Sequence, residues 1–243
     1  MNLDHFGFRW DKPVTRMVRV INLLRRFWLG ETINYNDEFF SFKDAKLQIQ
    51  PTQKPYPPIY LGANSPRTRK LVGEIADGWI ATETLKLVRE DLKEGLKKSG
   101  KSLDEIDRVL FTYTAIDEDF EKAFMAVEKW VKPLAVSFGD KLKQLYGLSV
   151  PEEFSIHKIL TTQEYLQKLL DFSGRIPKDI VKQITLEFNI LGDVEACIKQ
   201  IEEFIKAGIT HFAVINVGPD TNYVFKVYGK EIIPYFKENF KDG

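Results

Sequence analysis

The sequence predicts an α/β fold built on a parallel sheet. Short apolar runs at 59–61, 79–81, 109–116 and 211–217 have the length and composition of buried strands. Amphipathic segments with three-to-four spacing separate them. Strand, helix and strand therefore alternate, and each helix is a crossover returning the chain in the same direction.

The elements follow in order. Val14, Met17, Val18, Ile21, Leu24 and Trp28 recur at helical spacing, with Arg16, Arg19, Arg25 and Arg26 mostly between them, so 14–28 is an amphipathic helix stopped by Gly30. Ile33 and Tyr35 before Asn36-Asp37, and Phe40 and Phe42 after it, predict a hairpin over 32–42. The proline-rich stretch 51–58 is an extended connection. Strand 59–61, a helix over 66–76, strand 79–81 and a helix over 86–98 come next, the last stopped by Gly100. Ser102 and Glu105 have capping-box spacing for one short turn. The β-branched and aromatic run 109–116 is a strand, followed by a helix over 119–136. Residues 137–192 read as a largely helical excursion, with pieces at 164–172, where Thr161 and Glu164 have capping spacing, and at 178–184. Asp193 caps a helix that buries Ala196, Cys197, Ile198, Ile201, Phe204 and Ile205 and ends at Gly208. Strand 211–217 and one or two closing helices over 223–240 complete the chain. Four core strands are half the eight of a closed (β/α)8 barrel.

Composition narrows the function. The 243 residues hold 35 Lys plus Arg against 35 Asp plus Glu, so no net positive field attracts nucleic acid. Cys197 is the only cysteine, which excludes an internal disulfide and a cysteine metal cluster. No apolar run reaches the roughly 18 residues of a membrane span, and residues 1–10 lack the pattern of a signal peptide; a cytoplasmic location is expected. Gly-x-Ser-x-Gly, Walker and Gly-x-Gly-x-x-Gly motifs are all missing, against hydrolase, ATPase and classical nicotinamide-binding readings.

Ligands of parallel α/β folds bind beyond the carboxyl ends of the strands. Gly62-Ala63-Asn64-Ser65-Pro66 places a small pair after a strand, a capping side chain at Asn64 or Ser65, and proline at the first helical position. Free amides and the positive helix end would then face the site, with Arg67 and Arg69 in the first turn, and a phosphate fits there. The plainer reading, a helix cap and nothing more, stays open. Thr82 and Glu83, Thr114 and Asp117, and Asn216 with Gly218 follow the other strands; each suits a barrel mouth or a simple turn. His5, His157 and His211 have no metal-ligand spacing, and His211 begins a strand, away from the mouth. Cys197 reads as core. Glu152-Glu153 and Asp117, Glu118 and Asp119 read as solvated acidic faces rather than an acid/base pair. Trp79 and Tyr113 suit either a pocket for a flat ring or the core.

Leu24-Arg25-Arg26-Phe27-Trp28-Leu29-Gly30-Glu31, Phe39-Phe40, Pro57-Pro58-Ile59-Tyr60-Leu61-Gly62-Ala63, Gly73-Glu74-Ile75-Ala76-Asp77-Gly78-Trp79 and the segment from Gly192-Asp193-Val194 to Gly208-Ile209 occur in one order over nearly the whole chain. In this the sequence resembles bacterial-luciferase-like flavin and deazaflavin oxidoreductases, most of all the group containing methylenetetrahydromethanopterin reductase. The resemblance implies a (β/α)8 barrel with a helical insertion, 137–192, before the last strand, all within one domain over 1–243. It also implies hydride transfer between coenzyme F420, or alternatively FMN, and a small organic substrate. The cofactor's phosphate would lie against Gly62, Ala63, Asn64, Ser65 and Arg67, with Thr82 at the next strand end; no catalytic residue is implied. Many relatives carry a second glycine where this chain has Asn64 or Ser65. Family members also carry about four strands before the segment matching residues 11–28, so the sequence looks like the carboxyl-terminal part of such an enzyme. Half a barrel leaves edges and an apolar interior open, which predicts rearrangement, a homo-oligomer such as a dimer, or an amino-terminal partner. The rival expectation is a non-catalytic remnant that binds cofactor or serves a structural role.

Overall fold

Helix α1 (Pro13–Trp28) opens the computed structural model, which describes residues 11–81, 90–136, 139–154 and 163–240. Gly30 follows it with φ +84°, a conformation that stops the helix without the strain a side chain would add. The hairpin of β1 (Ile33–Asn36) and β2 (Ser41–Ala45) comes next. Its turn begins at Asp37, whose carboxylate accepts the Phe39 and Phe40 amides at 2.8 and 2.9 Å.

The main sheet then forms from β3 (Tyr60–Gly62), α2 (Pro66–Ile75), β4 (Gly78–Ala81), α3 (Glu90–Ser99) and β5 (Asp107–Ile116). The capping box at Ser102 and Glu105 is present just before β5. Helices α4 (Phe120–Ala135), α5 (Gly139–Tyr146), α6 (Gln163–Ser173) and α7 (Lys178–Phe188) follow, then β6 (Ile190–Gly192), α8 (Val194–Lys206) and β7 (His211–Asn216). The tail is α9 (Thr221–Val227), a π-helical turn (Tyr228–Ile232) and α10 (Ile233–Asn239). Thr161, His5 and His157 lie outside the described residues.

Every ladder of the main sheet is parallel, in the order β3, β4, β5, with β7 on the far side of β5. This is the α/β architecture expected from the alternation. The correction is a fifth strand. Thr114 pairs both with Ile190 of β6 and with Asn216 of β7, so β6 continues the β4 edge of β5 beyond the end of β4. Three residues paired to the upper half of a long strand leave too little periodicity to be seen in a sequence. Among the described residues β3 and β7 are each paired on one side, and the barrel is incomplete.

The two faces of the sheet are packed differently. Leu61, Trp79, Ala81 and Leu110 point to one face, where Val72 of α2, Ala76 just after it, Leu92 and Leu96 of α3 and Ile201 and Phe204 of α8 bury them. On the other face Ala115 is buried among Ala123, Phe124 and Val127 of α4 and Ile184 of α7. Phe111, four residues earlier on that face, is 43% exposed. Helical segments thus cover the carboxyl end of β5 and leave its middle open.

Candidate functional site

The turn after β3 is shaped by what it must satisfy. The buried Trp79 indole donates to the Ala63 carbonyl at 2.9 Å, and the buried Arg69 guanidinium donates to the Asn64 carbonyl at 2.8 Å. Arg69 is held in turn by Asp91, with contacts of 2.8 and 2.9 Å. Two successive carbonyls are therefore used inside the protein. Of the two readings open for Trp79 the core one holds, with its indole anchoring the turn, and the expectation for Arg69 is corrected: it is a buried brace between α2 and α3.

Ser65 is the N-cap of α2. Its hydroxyl accepts the Thr68 amide at 3.3 Å, and the Thr68 hydroxyl accepts the Ser65 amide at 3.1 Å. The expected set of free amides is correspondingly smaller, because this capping box satisfies two of them. Pro66 has no N–H, and Arg69 donates to the Ser65 carbonyl at 2.9 Å. In the first turn the Arg67 amide remains without an acceptor among the described residues. The Arg67 side chain is exposed beside it, together with Gly62, Asn64 and Ser65, whereas Ala63 is buried. A Cβ built at Gly62 would meet no heavy atom within 4 Å. The turn is open on the outside. One amide, one guanidinium and a helix N-terminus suit an anion of phosphate size there. Thr82 lies outside the described residues.

The other strand ends are occupied by structural bonds. The buried Thr114 hydroxyl bonds to the Tyr228 hydroxyl at 2.9 Å, on the helix side of the sheet, and burial pushes the Tyr228 phenol above its ordinary range. Asn216 accepts the Gly218 amide, and Asp117 and Asp119 accept amides two residues ahead of themselves. Cys197 is on the buried face of α8, as expected for a core residue. Tyr113 lies on the opposite face from Trp79, stacked on Trp130 with ring centroids 6.1 Å apart. Glu152 and Glu153 are exposed, as expected for a solvated face.

At the amino end of the sheet is a cluster that the sequence did not suggest. Asp107 accepts from the Tyr60 hydroxyl at 2.8 Å and the Thr210 hydroxyl at 2.6 Å, and meets His211 Nδ1 at 2.9 Å. Burial disfavours its charge, but the bonds from Thr210, His211 and Tyr60 outweigh that and hold the carboxyl below its ordinary range. Its partners lie 47 to 104 residues away in the chain. No local signal could have found it. His211 is thus away from the carboxyl ends of the strands, as expected.

Comparison with known proteins bears on the family and the fold. The sequence profile of the family described as luciferase-like monooxygenase matches residues 1–211. The chain is 28% identical over 242 residues to a 5,10-methylenetetrahydromethanopterin reductase of Archaeoglobus fulgidus, spanning 98% of this chain and 71% of that one. It is 26% identical over 250 residues to an F420-dependent glucose-6-phosphate dehydrogenase of Microbacterium testaceum, spanning 99% of this chain and 67% of that one. The solved coenzyme F420-dependent tetrahydromethanopterin reductase of Methanopyrus kandleri superposes with a TM-score of 0.73 at 26% identity, covering 96% of this chain and 71% of that one. With the family profile matched over most of its length, the chain belongs to the luciferase-like monooxygenases.

Proposed function

We propose that this chain serves an F420-dependent oxidoreductase that exchanges a hydride with a small organic substrate. The observation that carries the reading is the open turn at Gly62–Arg67, whose Arg67 amide has no acceptor among the described residues and whose exposed guanidinium suits the coenzyme's phosphate. The names of the relatives, two of which include F420, support the choice of coenzyme and weigh against a non-catalytic remnant. When bound, the coenzyme supplies the redox chemistry. The chain's own residues position it: Ser65 and Thr68 keep the end of α2 intact, Trp79 and Arg69 fix the two carbonyls inward, and Arg67 meets the anion. FMN is the alternative ligand for the same seat.

On this reading residues 137–192 are an insertion whose helices shelter the carboxyl end of β5, and the protein works in the cytoplasm. Among the described residues β3 and β7 are each paired on one side only, so further strands would complete a barrel; a second copy of the chain is one source. Titration with coenzyme F420 and with FMN, followed by a hydride-transfer assay on methylenetetrahydromethanopterin, glucose 6-phosphate and a secondary alcohol, tests the reading. Saturable binding of F420 with turnover of one of them supports it. Binding of neither cofactor overturns it.

A further inference from the structure

The turn after β3 is steadied from a second helix. Arg69 is 5% exposed, and its guanidinium divides its donors between two acceptors. Nε and Nη2 donate to one oxygen of Asp91 at 2.9 and 2.8 Å, and Nη1 donates to the Asn64 carbonyl at 2.8 Å. The other Asp91 oxygen accepts the Leu92 amide at 2.8 Å. Asp91 lies in the first turn of α3, and α3 is locked to α2 well away from the seat. Cβ atoms built at Gly73 and Gly95 would collide with the facing backbone, and the Ser99 hydroxyl donates to the Gly73 carbonyl at 2.8 Å. The carboxylate is therefore placed by its own helix and not by the turn it serves.

That placement fixes the Asn64–Ser65 peptide at both ends. Its carbonyl accepts from Arg69, and its N–H donates to the Thr68 hydroxyl at 3.1 Å. The carbonyl and the N–H of a trans peptide point opposite ways, so holding one inward sets the direction of the other. A carbonyl that loses its buried donor turns to water to recover a hydrogen bond. Here water lies on the side of the exposed Arg67. The released oxygen would bring negative partial charge to the place where an anion is received, and it would pull the Ser65 amide off Thr68. The charge of Arg69 is itself met by Asp91, which leaves Arg67 to face the ligand.

We propose that Asp91 is a positioning residue for the coenzyme's phosphate: through Arg69 it keeps the Asn64 carbonyl out of the anion seat. The proposal rests on the F420 reading above and deepens it, adding a residue of α3 that touches no ligand. A seat whose dipoles already point the right way loses less free energy to reorganisation when the anion arrives. The clamp thus acts on the phosphate's share of the affinity and on nothing else the coenzyme offers.

The test uses two clamp variants and one control. Arg69→Met/Asp91→Leu replaces the buried pair with apolar side chains, an exchange that buried ion pairs often tolerate, and Asp91→Asn removes the charge alone. Ser99→Ala removes a bond between α2 and α3 far from the turn. Each protein is checked by circular dichroism and titrated with F420 and with the ribityl deazaflavin that lacks the phosphate, and hydrogen exchange of the Ser65 amide is followed without ligand. Both clamp variants should bind F420 about tenfold more weakly, the scale of one hydrogen bond to a charged group, and bind the phosphate-free form as the parent does. Their Ser65 amide should exchange faster, and Ser99→Ala should change none of these readings. Folded clamp variants with parental F420 affinity, or a loss shared equally by the phosphate-free form, overturn the positioning role and leave the F420 reading intact. A parent chain that binds no F420 overturns both.

Discussion

The Tyr60 hydroxyl donates to the Asp107 carboxylate at 2.8 Å, reaching from β3 past β4 to β5. The same carboxylate meets Thr210 and His211, where β7 begins, so one side chain ties the amino ends of the sheet together. Asp107→Asn should cost about 1–2 kcal/mol at neutral pH, since an amide replaces a charged acceptor shared by several donors. The folded carboxyl titrates below its ordinary value, so its contribution is complete above about pH 4 and is lost as the pH falls through the folded value. Urea midpoints of the two proteins should accordingly converge in acid. A difference that stays constant with pH would show that the charge is not what holds these strands.

Helices α2 and α3 touch backbone to backbone at Gly73 and Gly95. A Cβ at Gly95 would lie 2.0 Å from the Lys70 carbonyl oxygen, and one at Gly73 would lie 2.5 Å from the Leu96 nitrogen. Alanine normally favours a helix over glycine by about 1 kcal/mol, but here the helices would be forced apart. Gly95→Ala is expected to destabilise the fold by about 2–3 kcal/mol, read as a lower urea midpoint. A neutral or stabilised variant would mean that the helices are not so close.

Ser65 separates capping from anion binding. Aspartate caps a helix as well as serine does, so Ser65→Asp should leave stability within about 0.5 kcal/mol of the parent. It places a negative charge at the seat, and F420 affinity should fall at least tenfold, about 1.4 kcal/mol. Isothermal titration and thermal melts on the same sample measure the two effects. Unchanged affinity removes the seat from this turn.

Burial and the nearby Asp193 push the Cys197 thiol up to about 12, so its thiolate is scarce at ordinary pH. A thiol reagent at about pH 8 should label the native chain negligibly and the urea-unfolded chain fully, at one thiol per chain. Rapid labelling of the native protein would contradict the packing of the buried face of α8.

What could be read from the sequence was what local chemistry decides. The periodicity of α1, the stop at Gly30, the Ser65 cap with Pro66 behind it, and the Asp193 cap all act within a few residues. Relations across the fold were hidden. Arg69 looked like a free cation because Asp91 is 22 residues away, and Trp79 stayed open between pocket and core because nothing local shows its bond to Ala63. The site was legible as a turn beside a helix start. How many of its amides were already taken depended on the Thr68 side chain folding back on Ser65.

The most direct test of the seat is to follow backbone amide resonances while coenzyme F420 is added to the labelled chain. The Arg67 and Gly62 amides should show the largest saturable shifts, with Cys197 and Asp107 unmoved. Saturable binding whose shifts avoid 62–67, or no binding at all, would contradict the account.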